Sequence, residues 1–496
     1  MTATETIEPR ADLANPHHDR RWLILALLGT AQLMVVLDAT VVNIALPSAQ
    51  KALSFSDANR QWIVTAYSLT FGSLLLLFGR IGDLWGRKRT LMIGLVAFGV
   101  VSAIGGAAQS FGMLVTARAF QGAAGALLAP SALSLLTTTF TEPRERGIAF
   151  GIYGAIAGAG GAVGLLLGGV LTEYLSWRWC LYVNVIIAVP AVCAAMVLLT
   201  NQVPAERPRL DVPGAVAVSL GLFLIVFGFS QAEPRGWTDW ETLGSLIVGV
   251  IILVVFVMVE RRSTHPLLPL RIVLDRNRGG SYLSVLISGA GLFGVFLFLT
   301  YYLQKTLLYS PVTTGLAFLP MVGMIVIGST TSNAVLLPRF GPKPLVPTGM
   351  LLATLGMVLL AQLGVHSTYA GDILPALLII GLGLGLIFAP SINTATLGVS
   401  QDDAGVASAT VNSCQQVGGS IGTAFLNTIA TTAVTSYLVG KAPTPVVAAQ
   451  AAVHGYTVAF WWAAGIFLLG AVVSATLLRP GTAVAVGEAQ PAAVVA

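Results

Sequence analysis

Long apolar runs separated by short polar connections make up most of the chain. A helix needs roughly 20 predominantly apolar residues to cross about 30 Å of hydrocarbon, and fourteen runs have a comparable length. The pattern therefore predicts an all-α polytopic membrane protein with 14 transmembrane helices. The predicted spans cover approximately residues 22–46, 61–78, 90–108, 111–138, 147–171, 179–199, 212–230, 242–259, 281–303, 312–337, 344–364, 372–394, 404–432 and 456–478.

Composition excludes several classes of protein. Charged residues make up 9% of the chain, against roughly 25% in soluble domains, so a soluble fold is excluded. The net charge of +5 comes from basic residues in short loops, a distribution that argues against nucleic acid binding. The three cysteines lie in apolar runs without a metal-binding pattern, as small core residues do. The first apolar run is too long for the core of a signal peptide, and we expect it to be the first transmembrane helix.

The distribution of Lys and Arg predicts the orientation of the chain. With the N-terminus inside and fourteen alternating spans, the inner segments hold 19 basic residues and the outer loops hold 6. An excess of this kind follows the positive-inside rule. We therefore expect a multi-pass protein of a bacterial-type inner (cell) membrane with both termini in the cytoplasm.

The order of the spans predicts two six-helix bundles with two extra central helices between them. A faint repeat supports this division, because GRIGDLWGRKR at 79–89 follows span 2 and PRFGPKP at 338–344 follows span 10. Two related bundles would retain a weak repeat of this kind at corresponding positions. The predicted segments are a cytoplasmic N-terminal tail at 1–21, the N-terminal bundle at 22–200, a linker with the extra helices at 201–280, the C-terminal bundle at 281–479 and a cytoplasmic C-terminal tail at 480–496.

Two charged residues lie deep inside predicted spans, Asp38 in span 1 and Arg118 in span 4. At about 1.5 Å per residue, Asp38 is roughly 25 Å from the inner boundary and Arg118 roughly 9 Å from the outer boundary, so their depths nearly coincide. Ionisable residues at membrane depth are functional candidates. We expect the two side chains to pair, directly or through water; the alternative is a structural ion pair without a role in transport.

The loop between spans 2 and 3 combines glycines, one acid and several bases. The basic residues fit an anchor at lipid headgroups, but that interpretation leaves the glycines and the acid unexplained. Glycines permit close backbone approach, and an acid can interact with a helix N-terminus. We therefore predict a conformational latch between helices. Its residues are Gly79, Gly82, Asp83, Gly86, Arg87 and Lys88.

Small and polar residues inside other spans predict a packing surface and a binding cavity. In span 5, Gly160, Gly164 and Gly168 recur every four residues, which favours close and sliding helix contact, with static packing as the alternative. Polar side chains at depth fit a water-accessible substrate cavity, although ordinary interhelical hydrogen bonds explain them about as well. These candidate cavity residues are Tyr67, Gln121, Tyr301, Gln304, Asn412, Gln415 and Gln416.

The sequence resembles the major facilitator superfamily, and more narrowly its fourteen-span drug:proton antiporters of the EmrB/QacA type. The resemblance covers nearly the whole chain. The motifs that carry it are LDATVVNIALP at 37–47, GRIGDLWGRKR at 79–89 (the loop motif), ARAFQG at 117–122 and WRWCLYVN at 177–184. It implies that Arg118 takes part in proton coupling, and we expect Asp38 to be the group that binds and releases the proton. The antiporter motif of span 5 ends in Gly168 and Gly169, but leucine stands at 165 where the family usually has proline. That substitution removes the proline bend expected from the motif.

The function that follows from this resemblance is proton-coupled export of amphipathic drugs, antibiotics or other toxic small molecules by alternating access. The sequence has no phosphate-binding loop and no catalytic motif, so we expect neither an ATP-driven pump nor an enzyme. No cofactor or metal is expected beyond the proton gradient. The alternatives are a dedicated exporter of one endogenous metabolite or lipid, a proton-coupled importer, and a membrane enzyme or receptor.

The expected partners are protons, the lipid bilayer and a small-molecule substrate, with no nucleic acid. Span 10 lacks the acid that some cation exporters of this type have, so we expect a neutral or monocationic amphiphile rather than a dication. The sequence leaves the oligomeric state open and is consistent with a monomer.

Overall fold

The structure is a computed structural model that describes residues 18–55, 57–200, 211–263, 268–399, 403–442 and 444–480. These residues contain fourteen helices of at least 19 residues and no strand. We number them α1 Arg21–Leu53, α2 Asp57–Trp85, α3 Arg87–Gly106, α4 Phe111–Thr139, α5 Pro143–Tyr174, α6 Trp179–Leu198, α7 Val212–Arg235, α8 Trp240–Arg262, α9 Arg276–Tyr301, α10 Pro311–Thr331, α11 Pro342–Leu360, α12 Leu374–Thr396, α13 Ala404–Leu438 and α14 Pro445–Leu477.

Short helical segments extend or join several of these helices. One turn of 3-10 helix precedes α1, and short α-helices occupy Leu270–Val273 and Leu337–Phe340. Three segments are π-helical, Tyr302–Thr306, Ser332–Leu336 and Tyr369–Ile373. Most of the predicted terminal tails and residues 201–210 of the predicted linker lie outside the described residues.

Eleven helical stretches among the described residues are long and apolar enough to cross a membrane. They come from every long helix except α5, α7 and α13. The described apolar stretches of α5 and α7 are shorter, Val163–Tyr174 and Pro213–Phe229, and α13 is rich in Ser, Thr, Asn and Gln. The membrane class and the all-helical fold are confirmed, whereas the count of 14 spans stays a prediction.

The helices pack as two sets with a hairpin beside them. In the first set α1 packs on α4, α5 and α6, α2 on α4, and α3 on α4 and α6. In the second set α9 packs on α12, α13 and α14, while α11 contacts α12 and α14, and α10 contacts α12. The α7–α8 hairpin lies against α2 and α13 through α7. The exact domain limits given above stay predictions.

Two seams join the sets, α5 against α10 and α2 against α13. Glycines allow close approach at the first seam: a Cβ on Gly315 of α10 would lie 2.7 Å from Cα of Leu166 in α5. At the second seam Gly72 of α2 faces Gln416 of α13. Movement of one set against the other must therefore change the contacts of α2 and α5.

The faint repeat has a structural counterpart at Gly86 and Gly341. Gly86 ends the α2–α3 connection with φ of 93°, and Gly341 precedes α11 with φ of 72°. Both values lie in the left-handed region that glycine adopts without steric cost. The two aligned glycines therefore make the same kind of turn at the same place in each set.

Candidate functional site

A buried ion pair between Asp38 and Arg118 lies inside the first set of helices. Asp38 is 0% and Arg118 1% exposed, and Arg118 Nη1 donates to Asp38 Oδ2 at 2.5 Å. The other carboxylate oxygen, Oδ1, accepts from Gln121 Nε2 and Asn184 Nδ2, both at 2.7 Å. The carboxylate therefore has three donors, one of them charged, which is how a buried charge is stabilised.

Arg118 has further acceptors besides Asp38. Its Nη1 also donates to Gln121 Oε1 at 2.7 Å, and its Nε donates to the Ile63 carbonyl at 3.2 Å. The guanidinium carbon lies 4.4 Å from the ring centre of Tyr67, a cation–π distance. The cation would keep these partners if Asp38 lost its charge.

The sequence correctly placed Asp38 and Arg118 at one depth, but it did not identify all of the polar network. Asn184 is 0% exposed and donates to Asp38, and Ser102 Oγ accepts from Gln121 Nε2 at 2.7 Å. Asn184 is the last residue of the stretch WRWCLYVN, which is one of the motifs of the family resemblance. Nothing in that stretch predicted the contact of Asn184 with Asp38. Ser102 is an ordinary small residue of an apolar run, and nothing in the sequence distinguishes it.

The network is enclosed by the helices of the first set. Its groups come from α1, α2, α3, α4 and α6, and those from α2 are the Ile63 carbonyl and the Tyr67 ring. The main packing partners of α3 and α6 are other helices of that set. Asp38 therefore points toward the interior of the N-terminal set rather than into the seams between the two sets.

The glycine surface of α5 packs directly on the turn of α1 that carries Asp38. A Cβ on Gly164 would lie 3.1 Å from the Leu37 carbonyl oxygen and would overlap Thr40. A Cβ on Gly168 would lie 3.1 Å from the Val41 carbonyl oxygen. Gly160 faces Val36 in the same way, and Gly169 is buried beside this surface. Leu165, which replaces the usual proline, is buried in the regular helix.

The loop motif makes contacts mainly inside the first set. Asp83 is 6% exposed, and its Oδ1 lies 3.4 Å from Arg87 Nη2. Lys88 Nζ donates to carbonyls at the end of α6, those of Met196 at 2.9 Å and of Leu199. Gly79 is buried in α2, while Gly82 packs near Ser131 and Gly86 makes the turn.

One atom of this motif has no partner among the described residues, the buried Oδ2 of Asp83. Because α2 also packs against α13 of the other set, a contact of Asp83 across the seam would complete a latch. That role stays a prediction.

The seven residues predicted to line a substrate cavity occupy three settings. Tyr67 and Gln121 belong to the Asp38 network. Tyr301 is the last residue of α9, and Gln304 lies in the π-helical segment that follows it, with its Nε2 buried without a partner among the described residues. The remaining three lie on α13, where the Asn412 amide donates to the Ser408 carbonyl of its own helix at 2.9 Å. Gln416 faces the α2 seam, while the Gln415 carbonyl approaches Gly289 of α9.

Comparisons of the whole chain with a family profile and with individual proteins agree on the class of protein. The profile described as Major Facilitator Superfamily matches residues 28–423. The puromycin resistance protein pur8 of Streptomyces alboniger is 50% identical over 465 residues, covering 93% of this chain and 92% of that protein. The cephamycin export protein CmcT of Amycolatopsis lactamdurans is 40% identical over 410 residues, covering 82% and 84%.

A solved structure has the same fold. The crystal structure of the human organic anion transporter MFSD10 (TETRAN) matches with a TM-score of 0.62 and 16% identity. The match covers 92% of this chain and 99% of that one. At this identity the likeness concerns the fold alone.

Proposed function

Because the chain belongs to the Major Facilitator Superfamily, we propose that it exports amphipathic antibiotics or similar small molecules in exchange for protons. The two relatives described above are named for resistance to, or export of, an antibiotic, and each aligns over more than four fifths of this chain. Their similarity supports export as the direction and small antibiotics as the cargo class. Neutral or monocationic amphiphiles are the cargo we propose.

The single observation that carries proton coupling is the Asp38–Arg118 pair at membrane depth. A buried ion pair contributes little net stability, because the cost of removing two charges from water is large. A proton-binding role explains why the chain retains one. Protonation of Asp38 forms one O–H bond and removes the negative charge, and Arg118 then relies on Gln121, Ile63 and the Tyr67 ring.

The helix contacts suggest how this local event reaches the substrate path. Asp38 lies on α1, whose backbone packs against the α5 glycines, and α5 forms the main seam with α10. A change of charge at Asp38 would change the contacts of α1, so that a different position of this helix would have the lowest free energy. Close contact through glycines transmits such a shift to α5 and hence to the seam between the sets. Alternating access then opens the seams to each side in turn.

A dedicated exporter of one compound is the second candidate. The relative from Amycolatopsis lactamdurans is named for a single antibiotic, cephamycin. The same proton site would serve either function, so the cargo range alone distinguishes them. For either function we propose a cell-membrane location with both termini in the cytoplasm, and a monomer is sufficient for the mechanism.

The test is transport by the purified chain in liposomes with an internal pH indicator. Puromycin and a panel of dyes and antibiotics are added one at a time, and both proton movement and substrate accumulation are followed. We expect at least one compound to drive proton movement in the opposite direction to its own. Response to one compound alone would favour the dedicated exporter, and proton movement in the same direction as the substrate would contradict exchange.

A further inference from the structure

The α7–α8 hairpin takes no part in the exchange proposed above, yet it lies on one of the two seams. Its first helix, α7, packs on α2 of the first set and also on α13 of the second set. Val226 of α7 is buried in one small apolar cluster with Leu69 of α2 and Val417 of α13. The hairpin therefore covers the α2–α13 seam, and α7 must change its contacts with one set whenever the two sets move relative to each other.

The covered seam contains polar groups that lipid would not solvate. The helix α13 is rich in Ser, Thr, Asn and Gln, and Gly72 of α2 faces Gln416 across the seam. Polar groups exposed to hydrocarbon are costly. The other seam is closed by backbone contact, since a Cβ on Gly315 of α10 would overlap the backbone of Leu166 in α5. A covering helix thus lies on the seam that has the polar groups.

The two helices of the hairpin pack as one unit. A Cβ on Gly249 of α8 would lie 3.1 Å from the carbonyl oxygen of Gly221 in α7, and Gly228 of α7 packs on α8 in the same close way. At the other end of the contact, Arg235 of α7 forms an ion pair with Glu241 of α8. Because close-packed elements shift together, we expect α7 and α8 to move as a single body.

The end of the hairpin that we predict to face the cytoplasm is fastened to the second set. The short helix Leu270–Val273, which follows α8, packs on α9. A Cβ on Gly279 of α9 would lie 2.5 Å from the Val273 carbonyl oxygen. In the same short helix, Arg271 Nη2 donates to Asp403 Oδ2 at the start of α13, at 2.5 Å. The side chain of Arg271 is 72% exposed, so this ion pair fixes position more than it adds stability.

The outer connection of the hairpin also contacts the second set. The ring centre of Trp237, between α7 and α8, lies 6.4 Å from that of Phe425 in α13, and Phe425 lies 5.4 Å from Trp462 of α14. The side of α7 that faces α2 contributes apolar contacts, such as Phe227 with Trp62 at 6.2 Å between ring centres. The second set therefore holds the hairpin at both ends, whereas α2 meets it on an apolar surface.

We propose that the α7–α8 hairpin moves as one body with the second set and slides over α2, so that it seals the α2–α13 seam against lipid in every conformation of the cycle. The inference rests on the alternating access proposed above. Apolar contact has no preferred direction, so α2 can move along α7 while both surfaces stay covered. An ion pair and the direct chain connection to α9 allow no comparable movement against the second set.

Cross-links from one position of α7 test which set carries the hairpin. In a chain whose three cysteines are replaced by serine, Val226→Cys is combined with Leu69→Cys or with Val417→Cys, and a short bismethanethiosulfonate reagent joins each pair. The α7–α2 link should reduce export of puromycin, or of the compound that the parent exports best, at least about tenfold, because a required movement is blocked. Reduction with dithiothreitol should restore export. The α7–α13 link is the matched control and should leave export unchanged.

Spin labels give an independent measurement that needs no cross-link. Val248 of α8, Val100 of α3 and Val472 of α14 are exposed, and two of them are labelled at a time in nanodiscs. Under conditions that change the Val100–Val472 distance, which spans the two sets, the Val248–Val100 distance should change and the Val248–Val472 distance should stay constant.

Three results would overturn the sliding hairpin while leaving proton exchange standing. They are loss of export with the α7–α13 link, unchanged export with the α7–α2 link, and a Val248–Val100 distance that stays constant while the two sets move. Failure of the parent chain to transport any compound of the panel would overturn both proposals.

Discussion

At the scale of single residues, Asp38 illustrates why a buried charge needs several partners. Arg118 neutralises it, while Gln121 and Asn184 donate to the other carboxylate oxygen. Each hydrogen bond to a charged group is worth about 1.5–3 kcal/mol. The cluster gives both carboxylate oxygens a donor, and Arg118 keeps Gln121, Ile63 and the Tyr67 ring as partners when the charge of Asp38 is removed.

Asp38→Asn keeps nearly the same volume but cannot bind and release a proton. We expect the variant to insert, to lose uphill export, and to retain substrate exchange without a gradient. The partly uncompensated guanidinium should also lower the free energy of unfolding by about 3–5 kcal/mol at most. Substrate-induced proton movement in liposomes with an imposed pH gradient is the measurement. Asp38→Glu is the control and should retain some coupling; a parental proton ratio in Asp38→Asn would make Asp38 structural.

At the scale of elements, the contact between α1 and α5 depends on the absence of side chains. Gly164 and Gly168 bring α5 onto the backbone of the turn that carries Asp38. The same helix packs on α10 of the second set. The helix α5 therefore contacts both the turn of α1 that carries Asp38 and the seam with the second set, so we expect coupling to depend on its packing.

Gly164→Ala should separate α1 from α5, because its Cβ would overlap Thr40 and lie 3.1 Å from the Leu37 carbonyl. We expect export to fall about tenfold or more, since overpacking of this kind costs about 1–3 kcal/mol. Gly323→Ala on α10 is the matched control, because nothing lies within 4 Å of its Cβ position. Export rates normalised to protein in the membrane distinguish them, and equal rates in the two variants would exclude a role for close contact.

At the level of the whole molecule, the two sets meet along seams that include α2 and α5. The loop motif lies at the end of α2 that we predict to face the cytoplasm. Asp83→Asn keeps the size of the side chain and removes its charge. We expect normal expression with export reduced at least about tenfold, because one conformation loses a stabilising contact between the sets. Transport assays in inverted vesicles test this, with Arg89→Gln in the same loop as a control; unchanged export would reduce the motif to a lipid anchor.

The orientation of the whole chain is tested by reporter fusions. The excess of basic residues in the segments predicted to be inside requires that a fusion after Arg278 reports the cytoplasm and one after Arg235 reports the outside. The structure places Arg235 at the end of α7, where it pairs with Glu241 of α8, and Arg278 in the first turn of α9. An external signal at residue 278 would exclude the proposed topology.

The membrane class, the helical fold and the family could all be predicted from the order of amino acids, because long apolar runs and local motifs are properties of neighbouring residues. It also placed Asp38 and Arg118 at one depth, since depth follows from the rise of a helix. The groups that complete the cluster could be identified only from the folded chain, because Asn184 lies 146 residues from Asp38 and nothing in the sequence around Ser102 distinguishes it. It also separated the predicted cavity residues into three settings, because the direction of a side chain depends on the rotation of its helix against distant neighbours, which no local pattern specifies.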